Sequence, residues 1–161
     1  MEFFTNFIEQ AKDANIALQF LSIFVVGAIP FLEGYVAAPL GVAFGFPAAL
    51  TIVAAILGNW LSVTAVILAG DRLQRRMQRR RQQRKSQPGK RMQRAKELFG
   101  KYGVPGVALI GPALFGNHIG AFISIAAGAN RGYVLLWQTI SIVVWTTGAG
   151  LIILFGSGLF R

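Results

Sequence analysis

Two long runs of this sequence contain no charged residue and are long enough to cross a lipid bilayer. They cover residues 48–69 and 133–155. A helix that crosses the hydrocarbon core needs about 20 apolar residues. The chain as a whole is 54% hydrophobic and only 14% charged, with a mean hydropathy of +0.54, whereas soluble domains are about 25% charged. The sequence therefore predicts an all-α integral membrane protein.

Two pairs of shorter apolar segments precede these long runs. Residues 16–30 and 35–46 precede the first run, and residues 104–115 and 119–129 precede the second. At 1.5 Å per residue, the first pair would reach only about 18–23 Å, less than the roughly 30 Å of hydrocarbon. We therefore expect each half to hold a broken, re-entrant helical hairpin followed by a full transmembrane helix. The alternative is four or five short or tilted spans without symmetry.

Basic residues are concentrated in one segment, since 13 of the 16 Lys and Arg residues lie between Arg72 and Lys101. The positive-inside rule makes residues 71–102 a cytoplasmic loop of a multi-pass protein in the plasma membrane. The first hairpin then enters from the outside, and the second enters from the cytoplasm and returns to Arg131. The two halves would form an inverted repeat, as in many secondary transporters. Residues 72–101 would also attract anionic lipids.

Two further segments are expected to be amphipathic helices that lie on the membrane surface. The first is residues 1–15, and the second follows Pro88. With them the chain forms a single membrane domain, residues 1–161, in which residues 16–70 hold the first hairpin and span and residues 103–156 hold the second. The apolar faces of the two surface helices consist of Phe3, Phe4, Phe7, Ile8 and Ala11, and of Met92, Ala95 and Phe99.

Glu33 is the only acidic residue between Ala14 and Gly70. A charged side chain at membrane depth costs about 2.5–3.5 kcal/mol on insertion scales, and such residues commonly mark functional sites. A carboxyl group that can be neutral or charged suits proton-coupled transport or the binding of a cation. We expect Glu33 to carry a proton and Tyr35 to line the substrate. The alternative is that Pro30 ends a full span and leaves Glu33 solvated in the interface.

His118, the only histidine, lies beside Asn117 in the break of the second hairpin. If the two hairpins meet at the midplane, His118 and Asn117 face Glu33 and could transfer a proton or bind a headgroup. The alternative is a histidine that reaches a surface or hydrogen-bonds to carbonyl groups of the broken helix. A lone histidine without a second ligand at suitable spacing predicts no metal site, and no cofactor is expected.

Helix breaks are expected at Pro30 and Gly34 in the first half, and at Pro112 and Gly116 in the second. Backbone groups freed inside a membrane are tolerated only where protein or a cavity satisfies them. The N-termini of half-length helices also carry partial positive charge that favours an anion. These four residues are therefore expected to shape the site.

Three other polar residues lie in or beside the spans. Asn59 should seek a polar partner within the hydrocarbon and is expected to line the substrate path. Asp71 and Arg131 bracket the spans and are expected to be cytoplasmic interface residues. A gating ion pair or a substrate contact is a second role open to Arg131.

The arginines of residues 75–85 do not indicate a nucleic-acid-binding protein, because no aromatic residues are interleaved with them and no recognised fold accompanies them. Attraction to anionic lipids, about 1 kcal/mol per basic residue near the surface, explains them sufficiently. No nucleophile stands in a recognisable pairing with a base. The chain has no cysteine, which excludes disulfides and thiolate chemistry. We therefore do not expect an enzyme.

Short motifs rich in glycine and proline recur over roughly residues 20–150. They are Ala28-Ile29-Pro30-Phe31-Leu32-Glu33, Gly41, Gly45, Gly58-Asn59, Lys101-Tyr102-Gly103-Val104-Pro105-Gly106, Gly111-Pro112, His118 and Leu136-Trp137. In these motifs the chain resembles the small multidrug export (efflux) protein family, a distant branch of the DedA-like superfamily. The resemblance implies two re-entrant hairpins and membrane transport, with Glu33 at the acidic position of the first hairpin. The paired arginines of DedA members have no clear counterpart here apart from Arg131.

Together these features predict a secondary transporter that exports a small lipophilic cation by proton coupling, at a midplane site between the hairpins. A homo-oligomer is compatible with this prediction. The first alternative is a flippase or scramblase for anionic lipid headgroups that uses His118, Arg131 and the hairpin N-termini. The second alternative is a non-transporting membrane adaptor whose basic loop binds lipid or a partner.

Overall fold

The computed structural model describes residues 15–84 and 103–159, together with residue 6. These residues form six helices: α1 Ile16–Ala28, α2 Glu33–Ala43, α3 Ala48–Arg84, α4 Gly103–Leu114, α5 Asn117–Ala126 and α6 Arg131–Leu159. No strand occurs among the described residues, so the all-α prediction is confirmed. The two predicted surface helices lie outside the described residues, apart from residues 6 and 15.

Helix lengths follow the predicted order of short, short and long in each half. Helices α1 and α2 have 13 and 11 residues and precede α3, which has 37. The short helices α4 and α5 precede α6, which has 29 residues. Only the stretches Ala48–Arg76 and Arg131–Gly156 of the described helices are long and apolar enough to cross a membrane. The short helices reach about 15–20 Å at 1.5 Å per residue.

Helix α3 continues beyond the predicted end of its span. Residues 71–84 were expected to begin the basic loop, but they are helical. Arginine, glutamine, leucine and methionine are good helix formers, and this stretch contains no glycine or proline after Gly70 to stop the helix. The cytoplasmic location of this basic extension stays a prediction.

The described residues belong to two compact units. The first unit contains the chain up to Ser62 and from Ile142 onward, and the second contains Val63–Ser141. The boundaries fall inside α3 and α6, so each long helix contributes to both units. The single membrane domain predicted for residues 1–161 concerns the bilayer rather than packing units, and it stays a prediction.

Glycines bring the helices of the first unit into backbone contact. A methyl group added to Gly27 would lie 2.8 Å from the carbonyl oxygen of Ala55, and one added to Gly34 would lie 3.1 Å from the same oxygen. Helices α1 and α2 therefore both approach α3 at Ala55, as small residues allow for helices in membranes. The buried apolar core of this unit consists of Ile23, Val26, Ala37, Ala38, Phe46, Ala54 and Ala55.

The connection between α1 and α2 has an unusual backbone. Pro30 disfavours helical geometry at the residue before it, and α1 accordingly ends at Ala28. Phe31 and Glu33 then adopt φ angles of 73° and 50°, in the left-handed region that residues other than glycine rarely occupy. Such strain costs on the order of 1–3 kcal/mol per residue and persists where the surrounding structure holds it, often at functional sites.

Replacing Gly58 with alanine tests the close packing of this unit. The added methyl group would overlap the Phe24 carbonyl oxygen, so we expect Gly58→Ala to lower the free energy of unfolding by about 1–3 kcal/mol. Gly148→Ala is the matched control, because a methyl group there meets no atom within 4 Å and alanine favours a helix by about 0.5–1 kcal/mol. Thermal unfolding in detergent measures both. Equal changes in the free energy of unfolding for Gly58→Ala and Gly148→Ala would contradict the close contact between Gly58 and Phe24.

Candidate functional site

Glu33 is the first residue of α2, and only 1% of it is exposed. Its backbone N–H donates to the Ile29 carbonyl oxygen at 3.1 Å. It is the only charged side chain among the described residues of the first unit, which are residues 15–62 and 142–159. Burial of a charged carboxylate is costly, and Glu33 is the one place in this unit where that cost arises among the described residues.

Gly34 brings a polar side chain of α6 next to Glu33. A methyl group added to Gly34 would lie 2.5 Å from Thr146 Oγ1. Gly34 was predicted to break a helix, but it is the second residue of α2 and instead permits this close approach. Thr146 is fully buried, and its hydroxyl group has no hydrogen-bond partner among the described residues.

Thr146 was not predicted as a site residue, and its surroundings explain why. A threonine in a helix usually donates to the carbonyl group four residues earlier. Thr139 follows this rule, since its Oγ1 lies 2.8 Å from the Leu135 carbonyl oxygen. Sequence alone cannot distinguish the two threonines, because only the tertiary packing against Gly34 sets Thr146 apart.

Asn59 is fully buried one helical turn beyond Ala55 on α3. Its neighbour Gly58 contacts the carbonyl group of Phe24, and a methyl group there would lie 3.1 Å from the Ala28 nitrogen. Asn59 was expected to find a polar partner, yet neither Oδ1 nor Nδ2 has one among the described residues. Asn59 thus belongs to the turn of α3 that packs against the end of α1. Both polar atoms of its carboxamide lack a hydrogen-bond partner among the described residues.

Helix α2 adds a further acceptor near Glu33. Pro39 lies inside α2 and carries no amide hydrogen. The carbonyl group of Tyr35 therefore lacks the donor that it would normally have four residues later. Tyr35 itself is half-buried, two residues after Glu33.

In the second unit, Asn117 and His118 begin α5 and are both buried, with exposed fractions of 0% and 8%. Gly116 precedes them with a φ angle of 87° and a ψ angle of 162°, so it lies at the break as predicted. Pro112, by contrast, was predicted to break the helix but lies inside α4. The break falls after Leu114, where the Phe115 and Gly116 N–H groups both donate to the Gly111 carbonyl oxygen.

Ser141 compensates for the helical position of Pro112. Because Pro112 has no N–H, the Ala108 carbonyl group loses its usual donor four residues later. The Ser141 hydroxyl lies 2.6 Å from that carbonyl oxygen and 3.0 Å from Asn117 Oδ1. Side-chain hydroxyls commonly satisfy such freed backbone groups in membrane helices. Ser141 was not predicted from the sequence.

Gln138 is a second polar residue that the sequence analysis missed. It is 1% exposed, and neither of its side-chain polar atoms has a partner among the described residues. A methyl group added to Gly120, in the first turn of α5, would lie 3.3 Å from Gln138 Nε2. Several buried polar groups thus lie at the start of α5.

Asp71 joins α3 to the start of α6. Arg75 Nε lies 3.1 and 3.0 Å from its two carboxylate oxygens, and Arg131 Nη1 lies 3.7 Å from Oδ2. Arg131 is the first residue of α6, where the helix dipole disfavours a cation, and Asp71 offsets that effect. Because the Arg131 side chain is 57% exposed, the pair contributes about 1 kcal/mol or less. A gating role for it stays a prediction.

Two long apolar helices, short apolar helices and buried polar side chains are features of helical membrane transport proteins. A family model described as "Putative small multi-drug export protein" matches residues 33–147, well over half of the chain. The chain therefore belongs to this family, as its resemblance predicted, and the membrane and transporter class follow from that membership. No curated protein and no solved structure shows a significant match.

The wider link to the DedA-like superfamily stays a prediction. The pairing of Glu33 with His118 also stays a prediction. Among the described residues, no group of three or more histidine, aspartate or glutamate side chains could hold a metal ion.

Replacing Ser141 with alanine tests the compensation for Pro112. The change leaves the buried Ala108 carbonyl group without a donor, so we expect it to lower the free energy of unfolding by about 1–3 kcal/mol. The control is Ser124→Ala, since the buried Ser124 hydroxyl donates only to a carbonyl of its own helix, that of Gly120, at 2.9 Å. Denaturation in detergent should show a clearly larger loss for Ser141→Ala. A loss no larger than that of Ser124→Ala would exclude this role.

Proposed function

We propose that this protein is a proton-coupled exporter of small lipophilic cations, in which Glu33 binds the proton and the cation in turn. The observation that carries the proposal is the position of Glu33. It is the one charged side chain among the described residues of an otherwise apolar unit, and it is 1% exposed. Membership of an export protein family supports a transporter.

The charge of Glu33 couples proton transport to cation transport, because either a proton or a cation can neutralise it. A protonated Glu33 is neutral, and a deprotonated Glu33 with one bound monovalent cation is also neutral overall. The carboxylate without a bound cation is the one state that adds a net charge to this unit, and burial makes that state costly. Proton and cation therefore replace each other, so one proton entering is exchanged for one cation leaving.

The other predicted residues have proposed roles around this exchange. Tyr35 and Asn59 would line the substrate in the first unit, where both lie near the start of α2 or the end of α1. In the second unit, His118 would transfer protons and Asn117 would line the substrate. Both are buried at the start of α5.

The proposed topology places α1 with α2, and α4 with α5, as re-entrant hairpins of an inverted repeat in the plasma membrane. The support is helix length, because α1 and α2 have only 13 and 11 residues. Residues 72–101 would lie in the cytoplasm and bind anionic lipids, and the protein would form a homo-oligomer. Labelling a cysteine at position 31 with a membrane-impermeant thiol reagent from the cytoplasm would exclude the re-entrant form of the first hairpin.

A second candidate function is a flippase for anionic lipid headgroups. The polar residues at the start of α5 favour it, since they include His118 and since α5 itself contains no acidic residue. The contact of Arg131 with Asp71 weighs against it, because that arginine already has an anionic partner. Transport of a headgroup-labelled lipid that does not depend on Glu33 would support this function. An adaptor, the third candidate, would show no transport at all.

The exchange is tested with Glu33→Gln in proteoliposomes that carry a pH gradient. A panel of ethidium, tetraphenylphosphonium and 4-phenylbutylamine covers different lipophilic cations. We expect gradient-driven transport of at least one of them by the wild type, and at least a tenfold loss in Glu33→Gln, because glutamine can neither release a proton nor balance a cation. Asp71→Asn is the control. It removes the other described acid and should leave the pH dependence unchanged.

If Glu33→Gln folds, as judged by thermal unfolding, and still transports with an unchanged pH dependence, then the exchange mechanism is wrong. If transport loses its pH dependence in Asp71→Asn but keeps it in Glu33→Gln, the residue that couples transport to protons lies in the second unit.

A further inference from the structure

We propose that the Glu33 site selects cations that donate N–H hydrogen bonds, which are protonated amines, over quaternary ammonium ions, and that Thr146 positions them. The inference rests on the proposed function and names the substrate class of the same site. The inference is based on one contact. Gly34, the residue after Glu33, lies against the buried hydroxyl group of Thr146.

The hydroxyl of Thr146 is the first element of this selection. It does not donate to its own helix and has no other partner among the described residues, whereas Thr139 of the same helix makes the usual intrahelical bond. A hydroxyl group can accept two hydrogen bonds and donate one. It can therefore accept an N–H from an ammonium group that is bound at Glu33.

A second acceptor lies at the same end of the hairpin. Asn59 Oδ1 is buried without a partner among the described residues, on the turn of α3 that follows Ala55. Buried acceptors without donors are unfavourable, and an ammonium group that carries up to three N–H donors can satisfy more than one of them.

A quaternary ammonium ion cannot supply these donors. Such ions are typically bound by the faces of aromatic rings. What contacts the first turn of α2 at Gly34 is a hydroxyl group and the Ala55 carbonyl oxygen. The charge of Glu33 attracts both kinds of cation, and the hydrogen-bond acceptors favour the cation that carries N–H donors.

Calorimetric titration of the purified protein tests the selection with a matched pair. The probes are 4-phenylbutylamine, which is protonated at pH 7.5 as lysine is, and its N,N,N-trimethyl quaternary analogue. We expect the wild type to bind the amine about tenfold more tightly. Thr146→Val should weaken amine binding by about three- to tenfold and change quaternary binding by less than about twofold. Thr146→Ser should retain the selection, and Thr139→Val, the control, should not alter it.

The outcomes separate this inference from the proposed function. Equal affinity for the two probes, with both lost in Glu33→Gln, would overturn the selection and leave the exchange mechanism standing. Equal weakening of both probes by Thr146→Val would also overturn it. Binding of both probes that is unchanged in Glu33→Gln would overturn the selection and the exchange together. If Thr146→Val does not fold, the affinities of the wild type for the amine and for its quaternary analogue decide whether the site selects amines.

Discussion

Burying a carboxylate among helices that carry no other charge is costly, and this cost is the constraint that Glu33 places on the first unit. Glu33 supplies the only charge there among the described residues. The hairpin that carries it is held against α3 by glycine contacts at Ala55 and Gly58, while the backbone between α1 and α2 is strained at Phe31 and Glu33. The packing thus fixes the carboxyl group where water does not reach it. The proposed exchange of one proton for one cation rests on that position.

Prolines inside two of the short helices each remove the usual donor of a backbone carbonyl group. In the second unit Pro112 frees the Ala108 carbonyl, and the Ser141 hydroxyl satisfies it at 2.6 Å. In the first unit Pro39 removes the usual donor of the Tyr35 carbonyl close to Glu33. The first unit also contains Thr146 and Asn59, whose buried polar atoms have no partner among the described residues. Buried polar groups without partners are costly in a low-dielectric interior, and in the proposed site a bound ammonium group would satisfy them.

Much of the fold could be predicted from the sequence because helix lengths follow from apolar runs and from the positions of proline and glycine. The order of short and long helices is an example. The basic extension of α3 was mistaken for a loop, since charge density predicts topology but says little about backbone conformation. Thr146, Gln138 and Ser141 could not have been singled out, because a polar residue in a span often satisfies itself on its own helix. Glu33 could be singled out because an acidic residue within an apolar run is costly at membrane depth and commonly marks a functional site.

The protonation state of Glu33 is the most direct test of this account, and infrared difference spectroscopy of the protein in lipid can measure it. The account predicts the carbonyl stretching band of a protonated carboxylic acid at neutral pH in the absence of cation. That band should be missing from Glu33→Gln, and in the wild type it should be replaced by carboxylate bands when a transported amine is added. A carboxylate signal from Glu33 without any cation, or a protonated band that persists when the amine binds, would contradict it.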